Sequence, residues 1–397
     1  MKRTGETRRS WNGAALWSQG FRPLFLAAGL WAAAAIAIWA PFSIGEIEVP
    51  TAFSAVDWHI HEMIYGYGSA VMAGFLLTAI PNWTGRLPVA GWPLASLLAL
   101  WAFGRAAVFA SAIIGWAPAA VCDALFLLVF AAVVGREVVA ARNLRNLKVV
   151  VLALMFAAAN VGFHVEAATT GTAAVSARTG LATLVLLILL IGGRVAPSFT
   201  HNWLARRGIA ARPAPFGRPD GFVMILSGLA LALWVVLPDA PAVGGAMLAA
   251  GAANLWRLSR WRGWTTRSDR LVLILHIGFL FAALGFLAAG AHSLAPDWIP
   301  AALGLHVWAI GAVGEMTLAM MTRATLGHTG RELRASRGTQ AIYFAIVIAL
   351  AARVAMALLP PYAIALMRVA AVAWIAAFAG FLVIYGPMLV RARREAR

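Results

Sequence analysis

Leu271-Val-Leu-Ile-Leu-His-Ile-Gly-Phe-Leu-Phe-Ala-Ala-Leu-Gly-Phe-Leu-Ala-Ala-Gly290 contains no Asp, Glu, Lys or Arg. A helix rises ~1.5 Å per residue, so such a run reaches across the ~30 Å hydrocarbon core of a bilayer. Arg267 and Arg270 stand immediately before it. A soluble core helix needs a polar face, and this run has none. Similar runs recur along the chain, predicting twelve spans at 21–41, 60–81, 92–114, 117–135, 147–167, 179–199, 221–237, 242–257, 271–290, 299–322, 340–359 and 363–388. No soluble domain lies between them, so residues 1–397 read as a single integral-membrane domain. The expected class is an all-α polytopic membrane protein whose solvent is the lipid bilayer.

Composition agrees. The 397 residues are 62% hydrophobic and 12% charged, with mean hydropathy +0.82. A soluble domain carries roughly 25% charged residues. The net charge of +17 would suggest nucleic acid in a soluble protein. Here the arginines sit in short connections between apolar runs, which points to membrane orientation and not to nucleic acid. Cys122 is the one cysteine, which excludes an internal disulfide and any Cys-based zinc or iron–sulfur centre. The basic start Met1–Arg9 leads into a stretch long enough to span, so no cleavable signal peptide is expected.

The loops alternate in charge. Lys2, Arg3, Arg8 and Arg9 precede the first span, and the next connection holds Glu46, Glu48 and Asp57. Arg86 follows, then an uncharged turn near Gly115, then Arg136, Arg142, Arg145 and Lys148. Arg206, Arg207, Arg212 and Arg218 form the next basic group, and Arg257, Arg260, Arg262, Arg267 and Arg270 another. Arg331, Arg334 and Arg337 come before the eleventh span, and Arg391, Arg393 and Arg394 close the chain. This pattern predicts an even number of spans in a bacterial inner membrane, with both termini cytoplasmic.

An internal repeat is visible. The second span ends Thr84-Gly-Arg86, the tenth ends Thr329-Gly-Arg331, and the sixth ends at Thr200 after Arg194. Each would be the second helix of a block of four, suggesting three blocks of four around a pseudo-threefold axis.

Ionisable side chains inside a membrane default to function. The topology puts His59, His61, His164, His292 and His306 toward the outer face, and His201, His276 and His328 toward the inner face. His201 and His292 are expected in solvent. His61 and His306 each stand 25 residues before the arginine of their Thr-Gly-Arg end (86 − 61 and 331 − 306). They therefore lie at equal depth on parallel helices, and two such imidazoles could ligate the opposite faces of a haem iron. Glycines beside both, including Gly66, Gly68, Gly304 and Gly311, would let a flat ring approach. The bland alternative is a pair of interhelical hydrogen bonders. His59 and His61 point ~200° apart on a helix, so both cannot hold one metal. His59 and His164 are the copper candidates, with Glu62 as a further donor, and His276 and His328 are alternative metal ligands. Glu62 and Glu315 fall inside spans, where carboxylates pair with arginine or carry protons. Arg194 and Arg323 at inner helix ends snorkel or hold anionic groups. Thr78, Asn82 and Asn160 read as interhelical hydrogen bonders. No phosphate loop, nucleophile elbow or His-Glu-x-x-His motif is present.

Several stretches together resemble the NnrS family. They are Phe21-Arg-Pro, His59-Ile-His61-Glu62-Met63, Ala73-Gly-Phe-Leu-Leu-Thr-Ala-Ile-Pro81-Asn-Trp, Asn160-Val-Gly-Phe-His164, Gly192-Gly-Arg-Val-Ala-Pro197-Ser-Phe-Thr200-His-Asn202, Leu275-His276, and His306 through Gly311 and Met316 to Leu326-Gly-His328-Thr-Gly-Arg331. The resemblance runs over almost the whole chain. It implies haem b and copper, nitric oxide or a similar small gas as partner, and a role in nitric-oxide metabolism or nitrosative-stress defence. An enzyme of this kind would be an oxidoreductase acting on nitric oxide, with an electron donor still to be identified. A more distant likeness is to the haem–copper oxidase core, which has twelve spans in three arcs of four with haem-ligating histidines on spans two and ten. This chain lacks that core's adjacent histidines on span seven and its histidine in the outer half of span six, so oxygen reduction is not expected. The competing class is a twelve-helix transporter. A transporter would show a two-fold repeat and broken helices near mid-membrane, whereas here similarity recurs every four spans. A reporter fused at Gly115 or Ala240 is expected to read periplasmic, and a cytoplasmic reading at either would overturn the topology.

Overall fold

The computed structural model describes residues 11–394 and is all helical. The basic group Lys2, Arg3, Arg8 and Arg9 lies outside the described residues. The long helices are α1 (Phe21–Ser43), α2 (Ala55–Thr84), α3 (Trp92–Phe109), α4 (Trp116–Ala140), α5 (Leu147–Thr170) and α6 (Ala174–Arg206). They continue with α7 (Arg218–Val236), α8 (Pro241–Ser259), α9 (Arg270–Leu294), α10 (Ala301–His328), α11 (Arg337–Leu358) and α12 (Ala363–Val390). Among the described residues, eleven of these helices are long and apolar enough to cross a membrane. The exception is α8, which answers to the expected span 242–257. It is long enough, but small residues dilute its hydropathy and it carries Asn254 and Arg257.

The ends of the helices follow from local chemistry. Ser54 caps α2 by accepting from the Asp57 amide at 3.1 Å, and its hydroxyl donates to the Asp57 carboxylate at 2.7 Å. Asp269 caps α9 by accepting from Leu271 N and Val272 N. The two Thr-Gly-Arg ends behave alike. Gly85 (φ 72°) and Gly330 (φ 71°) both adopt the left-handed conformation that stops a helix. The threonines before them turn their hydroxyls back onto Ile80 O at 2.8 Å and Thr325 O at 2.6 Å.

Three helices change pitch. Glu62–Gly68 in α2, Ile188–Gly192 in α6 and Val307–Gly314 in α10 are π-helical. They fall in the three spans singled out by the sequence repeat. His61 and His306 each immediately precede such a segment. A π turn spoils the regular hydrogen-bond ladder, and in lipid the freed groups must be satisfied by the protein.

The chain divides into two compact units. One comprises the described residues up to Gly180 together with Ala324–Glu332 and those from Phe378 onward. In it, Leu24 and Phe25 of α1 press against Gly74 of α2, and Phe21 N donates to the Thr78 hydroxyl at 3.0 Å. Thr78 is thus the interhelical bonder expected. Arg22 donates to Leu389 O at 2.7 Å and to Arg391 O at 2.8 Å, so a buried cation meets the carbonyl end of α12.

The other unit comprises Leu181–Arg323 and Leu333–Ala377. Here α9 and α10 run antiparallel, with Gly278 against Met316, Gly285 against Trp308 and Gly304 against Ala289. The polar residues of α8 point inward. Asn254 donates to Ser227 Oγ of α7 at 2.8 Å. Arg257, 1% exposed, pairs with Asp220 at 3.2 Å. It also donates to Leu189 O at 3.1 Å, within the α6 π turn, and to Gly193 O at 3.4 Å, just after it. Arg257→Met leaves Asp220 short of a partner and these carbonyls unmet. It should destabilise the protein by about 3 kcal/mol, read as a lower unfolding temperature in detergent. An unchanged temperature would show that the network contributes nothing.

Candidate metal centre

Four helices of the first unit each bring charged or hydrogen-bonding groups to one buried spot. α2 contributes His61 and Glu62, α3 Arg105, α4 Asp123, and α5 Asn160 and His164. None is more than 4% exposed. Glu62 lies on the first turn of a π segment. It accepts from Arg105 Nη1 at 2.8 and 2.7 Å and from Trp31 Nε1 of α1 at 2.6 Å. Arg105 also reaches Asp123 through Nη2, so one guanidinium joins two carboxylates. Gly66 makes room for this. A Cβ there would stand 2.6 Å from Glu62 Oε2 and 2.7 Å from Trp31 Nε1. The Gly66 carbonyl is met by Trp101 Nε1 at 2.9 Å.

Two imidazoles complete the cluster. His61 Nε2 and His164 Nε2 both lie 3.1 Å from the same atom, Asp123 Oδ2. The ligand atoms of His61, Asp123 and His164 lie within 4.8 Å of one another. Phe53 and Phe163 pack around the rings, with Phe53 centred 5.2 Å from each histidine.

The hydrogen-bond count around His61 does not close by itself. Its Nδ1 lies 3.1 Å from Glu62 Oε1, and its Nε2 lies 3.0 Å from Asn160 Oδ1 and 3.1 Å from Asp123 Oδ2. A neutral imidazole has one N–H. With that proton given to Glu62, the Nε2 lone pair faces oxygen acceptors. Turning the Asn160 amide would bring up Nδ2, which has no partner among the described residues. Asp123 has no such option. With neutral imidazoles, two carboxylates and one guanidinium leave the buried group one positive charge short of neutral. A second proton on His61 or a bound cation would supply it. Two imidazoles and a carboxylate are a donor set that suits first-row transition metals.

The other histidines sit elsewhere. His59 stacks on Trp39, ring centroids 4.0 Å apart, and takes no part in the cluster. The structure thus brings His61, and not His59, to His164. This fits the opposite pointing of residues 59 and 61. In the second unit, His306 Nδ1 donates to Ala302 O at 2.6 Å, and its Nε2 accepts from Arg353 at 2.6 Å. His276 Nε2 contacts Thr200 Oγ1 at 2.8 Å. His328 lies 5.3 Å from the Phe21 ring. His201 is exposed, as expected. His292 is partly buried and holds Ile299 O at 2.6 Å, so it is not simply solvated. Arg323 lies over the Phe199 ring at 4.0 Å.

Arg105 and Asp123 were not singled out from the sequence. Each is the one charge in an otherwise apolar run, and that isolation was the available signal.

A polytopic helical membrane protein with a buried His–Asp–His cluster is the class these observations define. The NnrS protein family model matches residues 15–393, and the chain belongs to that family. No curated protein matches the chain. Family and helices together make it a multi-pass protein of the bacterial inner membrane, linked to nitric-oxide and nitrosative-stress metabolism.

Gly66→Ala should force Glu62 away from Trp31, destabilising the protein by about 1–3 kcal/mol. A thermal unfolding curve identical to wild type would show that the cluster tolerates the added methyl.

Proposed function

We propose that this protein binds copper and haem in the membrane and acts on nitric oxide there. The observation that carries the copper assignment is the convergence of His61 Nε2 and His164 Nε2 on Asp123 Oδ2. A monovalent cation at that point satisfies the Nε2 lone pair and closes the charge balance, so the donor set fits copper. His61, Asp123 and His164 would hold it, with Asn160 beside it. Glu62 orients His61 through Nδ1, and Arg105 fixes both carboxylates.

His306 is the imidazole assigned to haem iron. Its Nδ1 is tied to a backbone carbonyl, which leaves Nε2 as the lone pair a metal needs. Arg353 would have to release that nitrogen. Pairing His306 with His61 across one haem would use the same His61 Nε2 that points into the cluster, so His61 serves copper in this assignment. The family resemblance is the support for haem. When bound, haem and copper would supply redox chemistry and a seat for the gas. The polypeptide keeps water from the site with Phe53 and Phe163 and holds His61 and His164 in place.

Twelve spans in three blocks of four remain the arrangement proposed. The three π segments in α2, α6 and α10 and the matched ends at Gly85 and Gly330 support it. Loop charges support cytoplasmic termini.

Copper should co-purify with the wild-type protein and be lost from His61→Ala and His164→Ala, while His59→Ala keeps it. Retention in both of the first two would reject the cluster. Loss of the haem absorption band in His61→Ala with copper intact would instead restore His61 as an axial ligand. Pre-reduced protein should consume nitric oxide. Absence of both consumption and spectral change would reject the functional reading.

A further inference from the structure

Among the described residues, one buried acid outside the polar cluster has both carboxyl oxygens without a hydrogen-bond partner. It is Glu315, 0% exposed, which follows the π segment of α10 directly. Around it are apolar groups. Met316 packs on Gly278 of α9, a Cβ added at Gly192 of α6 would stand 3.3 Å from its methyl group, and Gly314 meets Trp374 of α12. On other helices of the same unit, His276 contacts Thr200 and Arg353 donates to His306. Glu315 lies midway along Ala301–His328, so roughly 20 Å of helix separates it from either end. An ionised carboxylate with no partner at that depth is far costlier than a neutral acid.

Inward from Glu315, α10 carries a buried row of hydroxyls. Thr322 and Thr329 follow at intervals of seven residues, which places them on the same face, and Thr325 lies between. All three are 0% exposed. Thr322 exchanges a 2.6 Å hydrogen bond with Tyr343 OH of α11. The row ends at Gly330 beside the basic loop of Arg331, Arg334 and Arg337.

We propose that Glu315 is a proton-binding site, a neutral carboxylic acid at mid-membrane that exchanges its proton by way of the Thr322 hydroxyl on the same face of α10. The ligand is the proton alone, and the inference stands apart from the metal assignment. About 10 Å separates Glu315 from Thr322, a gap that water must bridge during exchange. Reduction chemistry at a buried centre requires protons, and a neutral acid can store one without placing a charge in lipid.

Infrared difference spectroscopy of the whole protein in detergent or lipid tests this. At neutral pH the wild type should show a carboxylic-acid carbonyl band that shifts in deuterium oxide and is lost in Glu315→Gln. If Glu315→Gln does not assemble, wild-type protein labelled with carbon-13 glutamate reports the same band by its isotope shift. No protonated glutamate in the labelled protein, or a band that survives in Glu315→Gln, would overturn the site. Thr322→Val should slow hydrogen–deuterium exchange of the band. An unchanged rate would overturn the route. These readouts need neither nitric oxide nor copper, so failure of the functional proposal would leave them unaffected.

Discussion

A charge taken into the bilayer must find its counter-charge and hydrogen bonds inside the protein, and most of the distinctive structure here meets that demand. Arg105 joins Glu62 to Asp123. Arg257 holds Asp220 and two backbone carbonyls. Arg22 covers the end of α12. In each case one guanidinium satisfies several acceptors, which suits arginine's planar set of five donors and would not suit lysine. These contacts tie together elements far apart in sequence, so the cost of burial is offset by groups that also fix the packing.

The π turns belong to the same logic. An extra residue in a helical turn rotates the following side chains and loosens carbonyls. Trp101 meets one at Gly66, and Arg257 meets those around Ile188–Gly192. In α2 the turn begins at Glu62, directly after His61, and this re-aims the pair toward α3, α4 and α5. In α10 the turn separates His306 from Glu315. Local irregularity is therefore found beside the groups that carry chemistry, where an uninterrupted helix would have aimed them elsewhere.

The helical spans were legible because lipid imposes a length and an apolarity on each crossing, and the Thr-Gly-Arg ends were legible because only a few residues close a helix. Helix α8 buries its Asn254 and Arg257, a fact that hydropathy alone does not carry. His61 and His164 were legible as ionisable residues in apolar runs. Their convergence was not, because it depends on how α2, α4 and α5 pack. Depth along a span is legible in sequence, but it says nothing about azimuth around a helix. The azimuth turns His61 toward Asp123, while the stacking of His59 on Trp39 removes it from the cluster.

The arrangement separates tasks by the kind of partner each acid has. Glu62 and Asp123 share an arginine and face imidazoles. Glu315 is buried with no hydrogen-bond partner among the described residues. The same side-chain type thus stands among ion-pair partners in one unit and among apolar groups in the other. The difference arises from the neighbours that helix packing supplies, with no change in the residue itself. A membrane protein cannot rely on water to equalise such environments, so each buried carboxylate acquires its chemistry from the few atoms that touch it.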